Sequence, residues 1–186
     1  MRKGRSMKVL LFNGSPRKGN TKAALEALKK GLAQQIPEAE VEEILCEGKS
    51  IIPCRACDAC GSMSRCIFAD DSPQINAAVE AADAIVFATP VYWWGMSAQM
   101  KLIIDKFYAR DRKFHGLKKK IGSIVIGEAD QEDPEYGIIA KQFRCIADYL
   151  GWETVFQKSY TANKPSDLAA DEAALAEIEG LAKLLK

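Results

Sequence analysis

The chain is poor in histidine: His115 is the only one in 186 residues. A Ser-His-Asp or Cys-His site would have to use that residue, and no serine stands in a G-x-S-x-G elbow. A histidine-based metal site is excluded as well. Excess charge is missing, because 26 Lys+Arg face 25 Asp+Glu for a net charge of +1. That balance leaves no bulk field to hold a nucleic acid or an anionic membrane. Long apolar runs are absent too, the longest being far short of a membrane span. Near the start, Arg2, Lys3 and Arg5 precede an apolar stretch of residues 9–12 only, too short for a secretory leader. The expectation is a cytoplasmic protein, with Met7 as an alternative start. Hydrophobic residues at 48% and charged residues at 27% exclude disorder and collagen-like structure. The length suits one domain over residues 1–186, with residues 1–7 as a disordered extension and 47–71 as a cysteine-rich insertion.

What is present reads as alternating strands and helices. Lys8–Asn13 is a buried strand ending at Gly14, and Asn20 or Thr21 caps a helix to about Gln35, with Ala24, Leu25, Leu28 and Leu32 on one face. Residues 40–45 form a second strand. Ser72 caps a helix that has Pro73 in its first position and runs to Ala81. Strands over 84–88, 121–127 and 152–157 alternate with helices over 97–108, 136–150 and 168–185. Uninterrupted apolar strands separated by helices predict a parallel α/β sheet covered on both faces. Ligands of such sheets bind beyond the carboxyl ends of the strands. Residues 47–71 are too long for a plain connection and imply a function.

The segment Gly14-Ser15-Pro16-Arg17-Lys18-Gly19-Asn20-Thr21 joins the first strand to the first helix. Free N–H groups and the helix dipole favour an anion there. Ser15, Thr21 and Asn20 add donors, and Arg17 adds a permanent charge. The spacing approaches a P-loop, but Asn20 stands where its lysine belongs, and no strand ends in a Walker-B-like aspartate. No G-x-G-x-x-G is present either. A monophosphate fits better than a nucleoside triphosphate or a dinucleotide. A Gly-rich turn serving only chain reversal would not need Ser, Arg, Asn and Thr together.

That segment, the later Thr89-Pro90-Val91-Tyr92-Trp93 and the cysteine run together resemble the flavodoxin-like NAD(P)H-dependent FMN reductases, closest to their iron–sulfur flavoprotein branch. The resemblance covers nearly the whole chain. It implies a flavodoxin-like three-layer sandwich with a five-stranded parallel sheet of order 2-1-3-4-5, bound FMN, and a homodimer or homotetramer. It also implies Ser15, Arg17, Asn20 and Thr21 on the FMN phosphate, and Pro90, Val91, Tyr92, Trp93, Trp94 and Gly95 along the isoalloxazine. A flat tricyclic ring needs apolar walls and a few polar groups for its edge. Pro90 fixes the turn, Gly95 permits close approach, and the three aromatics offer stacking surface. Their alternative places are the core or a dimer contact. Gly127 and Glu128 open an acidic stretch at the ligand end of the fourth strand and are further flavin contacts, while Asp130, Glu132, Asp133 and Glu135 read as a solvated loop. Lys101 and Asp105 read as a surface ion pair. Arg110, Arg112 and Lys113 read as a solvated helix end, with the phosphate of NADPH as the alternative.

Six cysteines without a secretory leader point to thiolate chemistry rather than disulfides. Cys54-x-x-Cys57-x-x-Cys60 is followed after five residues by Cys66, giving four thiols within thirteen positions. Such spacing suits a [4Fe–4S] cluster, and five residues let Cys66 return to the same cluster. A zinc site, which usually pairs C-x-x-C units across a longer spacer, is one rival. A family member with FMN alone and free thiols in the loop is the other. A cysteine-phosphatase loop is excluded, because four residues rather than five separate Cys60 from Arg65. Cys46 and Cys145 read as buried structural thiols.

The functional expectation is an NAD(P)H-dependent flavin or quinone-type reductase passing electrons through FMN and a [4Fe–4S] cluster to a small-molecule or protein acceptor. No side chain is assigned as acid, base or nucleophile. The alternative is a non-enzymatic electron carrier fed by ferredoxin.

Overall fold

The computed structural model describes residues 5–186. Five strands, β1 Lys8–Asn13, β2 Glu40–Leu45, β3 Ala84–Pro90, β4 Lys120–Gly127 and β5 Glu153–Thr161, form one parallel sheet in the order β2-β1-β3-β4-β5. The helices are α1 Asn20–Gln35, α2 Cys60–Met63, α3 Ser72–Ala81, α4 Ala98–Asp105, α5 Asp111–Phe114, α6 Pro134–Leu150, α7 Asp167–Ala170 and α8 Glu172–Leu181. Short 3-10 segments occupy Lys106–Arg110 and Ala182–Leu185.

Strand parity divides the core. Leu10 and Phe12 face one side of β1, with Ile85 and Phe87 beside them on β3, and pack against Met100, Ile103 and Phe143. Val9, Leu11 and Val86 face the other side and meet Leu25 and Leu28 of α1 and Ile178 and Leu181 of α8. A period of two puts neighbours on opposite faces, so a strand covered on both faces must be apolar throughout. β3 shows this in full, being buried at all seven positions. Phe12 and Phe87 stack at 5.2 Å, and Phe87 stacks on Phe143 at 5.1 Å, which ties α6 to the sheet.

The sheet order and two-sided helical cover agree with the sequence expectation. Several boundaries differ. β5 starts at Glu153 and runs on to Thr161 instead of stopping at 157, because it pairs with β4 as far as Gly127↔Thr161. The closing helix expected over 168–185 breaks at Asp171, whose carboxylate accepts from the Ala174 amide at 2.9 Å and starts α8 afresh. The helix expected over 97–108 is α-helical only to Asp105; Ser97 caps it by accepting from the Met100 amide, and Lys106 begins the tighter segment. Asp71, not Ser72, precedes α3, and the Ser72 hydroxyl and amide instead bond Asp70.

Part of the expected disordered extension, residues 1–4, lies outside the described residues. Arg5 pairs with Asp83 at 2.7 Å, the Met7 carbonyl accepts from the Glu40 amide, and the Met7 side chain packs on the α1 face.

Candidate functional site

The carboxyl ends of β1, β3, β4 and β5 open into one cleft of about 700 Å³. That lies within the range of small-molecule sites. Its floor is the end of the paired strands β1 and β3. The Gly14 amide donates to the Ala88 carbonyl at 2.8 Å, and a side chain at Gly14 would meet Ser97 Oγ at 2.9 Å. The chain then turns over the sheet. The Ser15 amide donates to Asn13 Oδ1 at 3.1 Å, and Ser15 Oγ accepts from the Arg17 amide at 3.2 Å. No side chain caps α1, so its first-turn N–H groups have no partner within the helix.

Asn20 lines the cleft, but its amide is committed elsewhere. Nδ2 donates to the Lys164 carbonyl at 2.9 Å, and Oδ1 accepts from the Leu168 amide at 3.1 Å. Asn20 is not the helix cap expected of it, since Gly19 precedes α1 and Asn20 is its first residue. One of its two Nδ2 hydrogens ties the loop after β5 to the base of α1, and its place in the cleft lining is kept. Ser15, Arg17 and Thr21 carry no such tie to that loop.

The second wall follows β3. Thr89 Oγ1 is buried and accepts from the Ser97 amide at 3.0 Å, which fixes where the loop re-enters α4. Tyr92 and Gly95 exchange backbone hydrogen bonds of 2.9 and 3.1 Å, so Trp93 and Trp94 form the tip of a two-residue turn. Both tip residues are left-handed, with φ of 49° and 56°. That geometry favours Asn and Gly, and two tryptophans hold it at a cost of about 1–3 kcal/mol each. Trp93 is 91% exposed and Trp94 51%, so neither belongs to the core.

The third wall is the end of β4. A Cβ on Gly127 would collide with Glu135 Oε1 and come within 2.9 Å of Val91 Cγ2, so any larger residue must displace these side chains. Glu135 is buried rather than part of a solvated loop. Burial raises its pKa, with the charges of Asp133 and Glu128 adding to the effect. Asp133 caps α6 by accepting from the Glu135 amide at 3.0 Å.

All twelve residues named as flavin contacts line this cleft except Gly95, which closes the tryptophan turn behind it. Sequence reasoning missed Glu135 and the loop after β5, where Ala162, Asn163 and Pro165 form the far rim. The signal available was topological, since β5 delivers its carboxyl end to the same side as β1. In the basic cluster by His115, Arg110 and Lys113 both pair with Glu80, and Arg112 is exposed. Lys101 and Asp105 form the expected surface pair at 2.5 Å.

Cys54, Cys57, Cys60 and Cys66 line one small cavity of about 30 Å³ beside the segment Lys106–Arg110. The loop reaches this shape through left-handed Ala56, Asp58 and Ser64, with φ between 51° and 55°. Cys54 and Cys57 are exposed, and Cys60 and Cys66 half-buried. Among the described residues the thiols do not gather round a single point as an ion would need. Four cysteines lining one cavity are the donor type an iron–sulfur cube takes at its separate corners. Beneath the cavity, Lys106 Nζ lies 3.0 Å from Asp70 Oδ2 and 3.3 Å from Cys66 Sγ. Burial works against the Lys106 charge, but Asp70 and Cys66 outweigh it and raise the pKa. Of the remaining thiols, Cys46 is buried as expected, whereas Cys145 is exposed on α6, its turn of the helix pointing away from the sheet.

The profile of the NADPH-dependent FMN reductase family matches residues 7–162. The chain belongs to that family. An iron-sulfur flavoprotein of Methanosarcina thermophila is 35% identical over 125 residues, 64% of this chain and 62% of that protein. YwqN of Bacillus subtilis, whose provisional name is NAD(P)H-dependent FMN-containing oxidoreductase, is 27% identical over 190 residues, 95% of this chain and 97% of that one. The iron-sulfur flavoprotein is thus the longer protein, and the shared region spans under two thirds of it. Among solved structures, an NAD(P)H:quinone oxidoreductase from Methanothermobacter marburgensis superposes with a TM-score of 0.70 at 18% identity, covering 96% of both chains. With the sheet order, this makes the fold flavodoxin-like. FMN is the cofactor of the family, and no helix among the described residues is long and apolar enough to cross a membrane.

Proposed function

We propose that this protein is an FMN-dependent NAD(P)H oxidoreductase acting on small flavin- or quinone-type acceptors. The observation that carries the reading is the single cleft in which an uncapped helix start, Ser15, Arg17 and Thr21 face an aromatic turn across the sheet. The first group suits a phosphate dianion, and the second a flat ring. Bound FMN supplies the hydride and electron chemistry that the side chains lack. Val91, Tyr92, Trp94 and Gly127 would hold the ring, and Ser15, Arg17, Asn20 and Thr21 would hold the phosphate at the start of α1.

Four cysteines on one cavity favour a second element, a [4Fe–4S] cluster on Cys54, Cys57, Cys60 and Cys66 that relays single electrons. The full cysteine set also favours the alternative reading, a non-enzymatic electron carrier fed by a ferredoxin-like donor.

Titration of the purified protein with FMN, followed by loss of flavin fluorescence, tests the first reading. Arg17→Ala is expected to weaken binding by roughly tenfold to a hundredfold, the worth of a charged hydrogen bond. Undiminished affinity in Arg17→Ala with Thr21→Val would refute the phosphate placement. Turnover of NADH or NADPH with a quinone tests the activity. Iron and acid-labile sulfide counts on anaerobically prepared protein test the cluster.

A further inference from the structure

We propose that Lys106 is a positioning residue for Cys66: its buried ammonium donates an N–H···S hydrogen bond that holds the sulfur and sets the reduction potential of the cluster bound there. The inference rests on the cluster reading above and adds to it a residue outside the cysteine run.

The ammonium has three donors and three neighbours. One faces Asp70 Oδ2 at 3.0 Å, one Cys66 Sγ at 3.3 Å, and the ring of Phe68 lies 5.4 Å away. The side chains of Lys106 and Asp70 are 3% and 0% exposed. Burying such a pair costs several kcal/mol per ion, and an apolar pair of similar volume often folds as well or better. The fold alone therefore does not call for a charge here. Asp70 also accepts from the amides of Ile52 at 3.1 Å and Ser72 at 3.0 Å, which lie on either side of the cysteine run. Asn76 Nδ2 donates to the Lys106 carbonyl at 3.0 Å and fixes the backbone. One carboxylate thus pins both roots of the loop and aims the ammonium at the last cysteine. A hydrogen bond to a ligand sulfur withdraws charge from it and favours the reduced cluster, so cluster potentials follow such bonds and solvent access.

The test uses full-length protein reconstituted anaerobically with iron and sulfide, its midpoint potential read by titration with electron paramagnetic resonance. Lys106→Met is expected to shift the cluster potential negative by about tenfold in the reduction equilibrium, about 59 mV for one electron, and to lower iron per chain, with FMN affinity unchanged. Because a lone Asp70 carboxylate endangers the fold, Lys106→Met is also made together with Asp70→Asn, which leaves no unpaired charge. Lys106→Arg, which keeps the donors, is expected to recover part of the potential. A wild-type potential in either methionine variant would overturn the assignment while the cluster reading stands. Failure of both to fold would make the pair a fold element only and overturn it likewise. Wild-type protein that takes up no iron would remove the cluster reading and this inference with it.

Discussion

The cleft at the strand ends and the cysteine loop lie in one chain but are built on opposite plans. The cleft is made from places where the sheet stops. Its walls are ends of buried strands, its close approaches are glycines with no room for a Cβ, and its turns are closed by backbone hydrogen bonds. The cysteine loop has almost none of this. It carries one four-residue helix, three left-handed non-glycine residues and two exposed thiols, and it is held at its roots by Asp70, Asp71 and Lys106. A site cut from strand ends inherits the rigidity of the core. A site on an insertion needs dedicated anchors, and here the most deeply buried of them is one ion pair.

Breaking that anchor is expected to have the largest effect. Asp70→Ala leaves Lys106 buried and unpaired and frees both loop roots, costing about 3–5 kcal/mol. Proteolysis within residues 52–69 should rise sharply while FMN binding persists. Loss of both sites together in urea unfolding and flavin titration would show that the two regions are not separate.

Gly127→Ala strikes the cleft in the same spirit. The added methyl meets Glu135 and Val91, and overpacking of this kind costs about 1–3 kcal/mol. FMN affinity is expected to fall with it, while the alkylation rates of Cys54 and Cys57 stay unchanged.

The tryptophan turn sharpens the contrast, since it is the strained part of an otherwise relaxed cleft. Trp93→Gly relieves one left-handed residue and is expected to raise stability by about 1 kcal/mol in chemical unfolding. Weaker flavin binding alongside that gain would show the strain to be held for the ligand.

The smallest effect concerns Cys46, at the foot of the loop. Burial first of all pushes its thiol up from 9.0 to about 12, with Lys49 opposing. The folded state then holds a proton that the unfolded chain releases. The stability this gives is complete below about pH 9 and fades as pH rises toward 12. Cys46→Ala should flatten that alkaline decline in pH-dependent unfolding. At pH 8, iodoacetamide should label Cys145 and leave Cys46 untouched until the protein unfolds.

The residue pattern alone determined the parallel sheet, because strands covered on both faces must be apolar along their whole length. It put Ser15, Arg17, Asn20 and Thr21 together where strand meets helix, and it placed four thiols in one loop. Local periodicity did not reveal the break at Asp171, since a cap can restart a helix without disturbing its apolar spacing. Composition gave no hint that the Asn20 amide would be spent on the loop after β5, 144 residues away. Nor did it show that Glu135 would be sealed under Gly127, or that Lys106 and Asp70 would meet beneath Cys66. Those depend on which distant segments the sheet order brings together. Short-range patterns carry the chemistry a residue can perform, and tertiary contacts alone decide which partner it meets.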